Sequence, residues 1–198
     1  MSKIHPRNTL LVDVDGVLLD WESDFSAWMH RLGFKRIADT ESEYRIGARY
    51  GISNDQAHRL VQMFNESARV AFMQPFRDAL FYVKKLNQEH GFVFHCITSL
   101  SDDPAAVAMR EYNLRQLFGA ETFAKIVCLP TGANKDSALN AYSGSGCYWI
   151  EDKPENAEVG KGLGLRSLLM DHEYNANYKN SGIPRVRNWR EIYELITS

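Results

Sequence analysis

Two aspartates, Asp13 and Asp15, close an apolar run in LLVDVDGVLLDW (residues 10–21), with Gly16 directly behind them. On an extended strand, residues i and i+2 project to the same side, and an unpaired buried carboxylate is among the costliest groups a fold can hold. The pair is either a solvated turn or a site that needs two acids. Three other apolar runs also end in chemically capable side chains: Thr98 and Ser99 after FVFHCIT begins at 92, Lys135 in PTGANKDS, and Glu151 with Asp152 in CYWIED. Gathered in one crevice, the four carboxylates would repel, each pair ~4 Å apart by roughly 4 kcal/mol at an effective dielectric of about 20. They require a cation. All-oxygen donors favour a hard ion, and a few carboxylates with positions left for water and phosphate suit Mg²⁺ better than a Ca²⁺ cage.

Mg²⁺, a lysine and hydroxyls together suit phosphate, whose transfer depends mostly on positioning and charge neutralisation. Lys135 opens an expected helix over 135–142, the end at which the macrodipole disfavours a cation, so a nearby anion would explain its placement; an exposed surface lysine is the plainer alternative. One of the paired aspartates can attack phosphorus to form an aspartyl-phosphate. The other can protonate the departing alkoxide and later deprotonate water.

Five apolar runs read as strands: 9–14, 92–98, 125–129, 147–151 and 166–170. They are continuous rather than alternating, as strands covered on both faces are. Helical patterns lie between them, among them PFRDALFYVKKLNQEH, DDPAAVAMREYNL and KPENAEVGKGLG; such alternation gives a parallel sheet with right-handed crossovers. Ligands of open parallel sheets bind outside the carboxyl ends of the strands, which is where Asp13, Asp15, Thr98, Ser99, Lys135, Glu151 and Asp152 fall. The interval between the first two strands is too long for one crossover. It carries helical signals at 21–33, 40–50 and 53–73, the last opened by the capping box SNDQ and presenting Ala57, Leu60, Val61, Phe64, Ala68 and Ala71 on one face. Residues 20–75 therefore read as an inserted helical cap on a core formed by 1–19 and 76–198.

The chain has 198 residues, 44% hydrophobic and 24% charged, with a net charge of −2. That is ordinary globular usage, and it gives no attraction for polymeric nucleic acid or an anionic membrane. No apolar run approaches the roughly 18 residues of a spanning helix, and MSKIHPRNT lacks the apolar centre of a signal peptide. The expected location is cytoplasmic. Cys96, Cys128 and Cys147 show no metal or disulfide spacing and read as buried free thiols. The histidines show no ligand spacing either.

DVDGVL, TS after the second strand, a lysine before a helix and ED after the fourth strand resemble, in that order, the four motifs of the haloacid dehalogenase-like phosphatase superfamily. The resemblance implies a Rossmann-like parallel sheet flanked by helices, with Asp13 as nucleophile and Asp15 as general acid/base. It makes Thr98 a phosphate-binding hydroxyl and Lys135 the stabiliser of phosphoryl charge. Asp13, Asp152, Glu151 and the backbone carbonyl of Asp15 would form the Mg²⁺ site. A halide leaves without a proton whereas an alkoxide needs one, so an acid at Asp15 favours phosphate ester hydrolysis over dehalogenation. DVDGVLLDWE, the segment MQPFRDALFYVKKLNQEHGFVFHCITS and RVRNWREIYELI are also similar to the 5′(3′)-deoxyribonucleotidase family, which dephosphorylates nucleoside monophosphates. That family has Asp where Glu151 stands, and the extra methylene leaves direct and water-mediated metal contact both open.

Specificity should come from the cap. Trp21 and Phe25 lie one helical turn apart, and the family sets an aromatic at the position of Trp21 against the nucleotide, where it could stack on the base. Packing within the cap is the other role, and it suits Phe25 and Trp28 better. The expected protein is a Mg²⁺-dependent hydrolase of a small phosphate ester, a nucleoside monophosphate foremost. The alternatives are another small ester such as a sugar phosphate, a DNA 3′-phosphate end, or a phosphate-binding module without turnover.

Overall fold

The computed structural model describes residues 8–179 and 182–198; MSKIHPR, where a signal-peptide core was sought, lies outside them. Among the described residues, β1 (Thr9–Val12), β2 (Val93–Thr98), β3 (Phe123–Cys128), β4 (Tyr148–Glu151), β5 (Arg166–Met170) and β6 (Arg185–Val186) form one sheet, ordered β3-β2-β1-β4-β5-β6. Every pairing is parallel. The helices are α1 (Trp21–Arg31), α2 (Ile46–Tyr50), α3 (Asn54–Asn65), α4 (Ala79–His90), α5 (Pro104–Phe118), α6 (Asp136–Asn140), α7 (Pro154–Gly162) and α8 (Trp189–Thr197). None is long and apolar enough to cross a membrane.

The continuous apolar run of β1 follows from its central place. Leu10 and Val12 pack on one side with Phe94 and Trp189, while Leu11 packs on the other with Ile97, Trp149 and Leu139. Strand order reverses at β1, whose neighbours are β2 and β4, so the crevice at the carboxyl ends of these strands is the topological switch point. The chain leaves the sheet after β1 and returns at α4, and its two connections are bonded to each other. Asp20 N–H donates to Gln74 O at 2.9 Å and Phe76 N–H to Leu18 O at 2.8 Å. The helices between enclose a cluster of their own, with Phe25, Met29, Tyr50, Leu60 and Phe64 at its centre.

Several elements are shorter than the sequence pattern predicts. The first strand ends at Val12, and the chain turns from Val14, whose carbonyl accepts from the N–H groups of Leu18 and Leu19 at 2.8 and 2.9 Å. The 40–50 signal yields only α2, which stops at Gly51 in the left-handed conformation. The 53–73 signal divides into α3 and a 3₁₀ turn over Ala68–Phe72, where the Ser67 hydroxyl donates to Phe64 O at 2.7 Å. Ala68, expected on the apolar face, is exposed in consequence. The expected helix at 135–142 is α6 alone, with Lys135 as its N-cap. β6 has no counterpart in the sequence pattern, since two residues are too few to show a period. The three cysteines are free, Cys96 and Cys147 buried and Cys128 half-buried.

α7 follows directly from the fourth strand end and lies against Trp149 of β4. A Cβ on Gly160 would stand 2.4 Å from Trp149 Cδ1 and 2.8 Å from Ser167 Oγ, and the buried indole, whose Nε1–H donates to Asn156 O at 3.1 Å, has no room to yield. Gly160→Ala should destabilise the protein by about 1–3 kcal/mol, the usual cost of overpacking. A urea midpoint unchanged from the native protein would contradict this packing.

Candidate active site

Lys135 stands at the centre of the crevice. Its ammonium is buried, with Nζ 2.7 Å from Asp13 Oδ2 and 2.8 Å from Glu151 Oε2. Burial alone would lower the lysine pKa, but the two carboxylates outweigh it and hold the ammonium charged. The local anion expected from its helix-start position is therefore a pair, one from the end of β1 and one from the end of β4.

Asp13 is anchored twice more, with Oδ1 accepting from Val14 N–H at 2.7 Å and its own N–H donating to Ile150 O at 2.9 Å. Glu151 is engaged on both oxygens. Oε2 takes the lysine, and Oε1 accepts from the backbone N–H of Asp152 at 3.1 Å and of Lys153 at 3.0 Å. Asp152 accepts the Tyr174 hydroxyl on Oδ2, and its main-chain carbonyl accepts from Asn175 Nδ2 at 2.8 Å. Asp13, Glu151 and Asp152 each bring an oxygen within 4.8 Å of the others, an all-oxygen set that suits a hard divalent cation.

Burial, with Glu151 nearby, pushes Asp13 up to about 7; burial, with Asp13 nearby, pushes Asp152 up to about 6. Glu151 is raised as well, chiefly by burial. One lysine is too little charge for three buried acids.

Asp15 points elsewhere. Its carboxylate faces the guanidinium of Arg110 from α5, with Arg110 Nη1 2.7 Å from Oδ1 and Nη2 donating to Oδ2 at 3.1 Å. Gly16, at φ +76°, carries the chain past Asp152; a Cβ there would lie 2.7 Å from Asp152 Oδ2. The Gly16 carbonyl accepts from His172 Nε2–H at 2.8 Å. His172 is stacked between Phe76 and Tyr174, and burial pushes its pKa down to about 4, so the ring is neutral. Thr98 and Ser99 line the crevice, and Ser99 Oγ donates to Ala133 O at 2.7 Å, joining the loops after β2 and β3.

These residues form one wall of a cavity of about 570 Å³ whose other wall comes from the inserted helices, including Trp21, Arg49, His58 and Val61. The Trp21 ring is fixed: Nε1–H donates to Asn65 Oδ1 at 2.9 Å, and one face stacks on Phe25 at 4.4 Å between centroids. Phe25, proposed from its spacing as a substrate contact, is corrected to core. It is fully buried beneath Trp21 among Tyr50 and Phe64 and lines no part of the cavity.

Sequence patterns alone passed over Arg110, Tyr174 and His172. For Arg110 a signal existed, because it shares the buried face of α5 with Ala106, Leu114 and Phe118, a stripe on which a charge calls for a partner. Tyr174 and His172 lie in the connection after β5, where no period marks a residue.

No protein-family model matches the chain. A curated relative, an uncharacterised 32.4 kDa protein of the Gp30–rIII intergenic region of Enterobacteria phage T4, is 27% identical over 127 residues, 62% of this chain. The match spans only 45% of that protein's length. Among solved structures, a haloacid dehalogenase-like family hydrolase of Streptococcus pneumoniae superposes with a TM-score of 0.64 at 14% identity, over 95% of this chain and 97% of its own. CbbY of Rhodobacter sphaeroides, solved in complex with phosphate, superposes with a TM-score of 0.61 at 18% identity, over 93% of this chain and 96% of its own. The chain has the haloacid dehalogenase-like fold.

The raised acids make cation binding dependent on pH. Asp13 and Asp152 have folded-state pKa values near 7 and 6, above their ordinary 3.8, so the metal-free fold holds protons there that the unfolded chain releases, and their contribution to stability falls as pH rises through that window. His172, lowered to about 4, acts in the opposite sense, because the unfolded chain binds its proton first. The cation-dependent increment isolates the acids: Mg²⁺ should raise the melting temperature of chelator-treated protein much more at pH 7.5 than at pH 5. An equal increment at both pH values would contradict a site built on Asp13 and Asp152.

Proposed function

We propose that the chain is a Mg²⁺-dependent phosphomonoester hydrolase working through an aspartyl-phosphate, with nucleoside monophosphates, deoxyribonucleotides foremost, as its substrates. The observation that carries this is the division of the two neighbouring aspartates between different cations, Asp13 on Lys135 and Asp15 on Arg110. Two acids of one type in one loop are thereby given separate places and separate tasks. Both acids are present and charge-paired, which argues against a phosphate-binding module without turnover.

In this mechanism an Asp13 oxygen attacks phosphorus while the bond to the leaving oxygen breaks, and Asp15 supplies that oxygen with its proton. Asp15 then takes a proton from water as the water oxygen attacks phosphorus and releases Asp13, freeing inorganic phosphate. The Lys135 ammonium, beside the attacking carboxylate, neutralises charge gathering on the phosphoryl oxygens, and Thr98 borders the same space. Asp13 and Asp152 would hold Mg²⁺ directly, with Glu151, spent on Lys135 and two backbone amides, one layer further out. The metal supplies positive charge that lets an anionic ester approach an anionic nucleophile.

The nucleotide assignment is supported by the resemblance around DVDGVLLDWE and by a cavity of about 570 Å³ with Trp21 in its wall, within the ordinary size of small-molecule sites. The cap of residues 20–75 would choose the substrate, and the core would transform it. A panel of nucleotides, sugar phosphates and 3′-phosphorylated oligonucleotides incubated with Mg²⁺ tests this, and preference for a ligand other than nucleotides would move the assignment to that class.

Asp13→Asn should abolish phosphoenzyme trapping. Asp15→Asn should lower kcat/KM, which is set by transfer to Asp13, for alkyl phosphates by about 10²- to 10⁴-fold, the range of general acid–base catalysis, while sparing kcat/KM for aryl phosphates, whose leaving group needs no proton. The kcat, which includes the shared hydrolysis of the phosphoenzyme, should fall on both. Equal losses of kcat/KM on both kinds of ester would contradict the acid role given to Asp15.

Trp21→Ala should lower kcat/KM for nucleotides about ten- to a hundredfold, the value of base–aromatic stacking, and leave a small ester without a base nearly unchanged. A parallel fall on both substrates would return Trp21 to the cap core with Phe25.

A further inference from the structure

Arg110 carries a charge on an otherwise apolar, buried stripe of α5. Its side chain is fully buried on the face of α5 shared with Ala106, Leu114 and Phe118, and a buried ion pair is commonly no more stabilising than apolar residues of the same volume. What it faces is Asp15, 95 positions earlier in the chain. One nitrogen of the planar group donates to Oδ2 at 3.1 Å and a second makes an ionic contact with Oδ1 at 2.7 Å, so a single guanidinium restrains both oxygens of the carboxylate.

The platform beneath Arg110 is itself held. Asp103 caps α5 through the backbone N–H groups of Ala105 and Ala106, at 2.9 and 3.0 Å. Asn113, almost one turn beyond Arg110, donates to the carbonyls of Ala71 and Met73 at 3.2 and 3.1 Å, where the chain returns from the inserted helices. The carboxylate of Asp15 remains partly exposed on the cavity side, so the arginine grips it from behind and leaves it open in front.

We propose that Arg110 is a positioning residue for Asp15: it holds the carboxylate in the orientation for proton transfer and away from Lys135, so that Asp13 alone is presented to phosphorus. This rests on the phosphatase assignment and adds to it the device that separates two identical side chains. A lysine could supply charge at the same place but could not span both oxygens.

The test compares kcat/KM, which is set by transfer to Asp13 and not by hydrolysis of the shared phosphoenzyme, for p-nitrophenyl phosphate, whose leaving group needs no proton, and for a deoxynucleoside 5′-monophosphate, with the native protein, Arg110→Gln, Arg110→Lys, Asp15→Asn and the Asp15→Asn/Arg110→Lys double variant, all with Mg²⁺. Arg110→Gln should lose on the order of 10²-fold on the nucleotide, as for a catalytic group displaced by about 1 Å, and little on the aryl ester. Arg110→Lys, which keeps the charge should the glutamine variant fail to fold, should shift the same ratio in the same direction by less. On the Asp15→Asn background, Arg110→Lys should cause no further loss. A soluble Arg110→Lys with the native substrate ratio, or one that loses equally on both esters or loses further in the double variant, would overturn the proposal. Native protein that hydrolyses neither ester would overturn the phosphatase assignment and this role with it; a native protein and Asp15→Asn that behave as expected beside an insensitive Arg110 would remove this role alone.

Discussion

The site depends on one buried ammonium. Lys135 lies between Asp13 and Glu151, at 2.7 and 2.8 Å, and through them it joins the carboxyl ends of β1 and β4 to the N-terminus of α6. Charges taken out of water are costly, and only close pairing with further hydrogen bonds offsets the cost. The further bonds are present: Val14 N–H on Asp13, and the N–H groups of Asp152 and Lys153 on Glu151. Glu151 thus acts as the keystone of the loop that presents Asp152, and the longer side chain at this position lets it reach the lysine while both oxygens remain engaged.

Even so, the charges do not balance among Asp13, Glu151, Asp152 and Lys135. All three acids are displaced upward, chiefly by burial. Perturbed groups of this kind gather where chemistry is done. The neighbouring Tyr174 and His172 are bonded into this arrangement. Tyr174 donates to Asp152, and His172, neutral and stacked, holds the Gly16 carbonyl. The loop carrying Asp13 and Asp15 is bonded to β4 through the Asp13 N–H and to the connection after β5 through the Gly16 carbonyl.

The inserted helices are coupled to this platform by polar links as well as by the apolar packing of Val70 and Met73 in the main core. Trp21 bonds Asn65, and Asn65 bonds the Leu100 carbonyl beyond β2, each at 2.9 Å. One buried asparagine consequently ties α1, α3 and the loop after Thr98 and Ser99 together. The cavity wall contributed by Trp21 is fixed in relation to the crevice by the same residue.

What the sequence determined by itself was whatever local period and strand-end position can encode. Runs covered on both faces locate five strands, β5 to the residue, and the rule that ligands sit at their carboxyl ends groups Asp13, Asp15, Thr98, Lys135, Glu151 and Asp152 as one set. The tertiary structure decided partnership. Arg110 finds Asp15 across 95 positions and His172 finds Gly16 across 156, and no short-range pattern carries such distances. The same reason separates Trp21 from Phe25: both stand on one helical face, but packing against Tyr50 and Phe64 buries the second and leaves the first at the cavity. β6 formed because Leu169 and Met170 offered an open strand edge to Arg185 and Val186, an opportunity created by the sheet and absent from the two residues themselves.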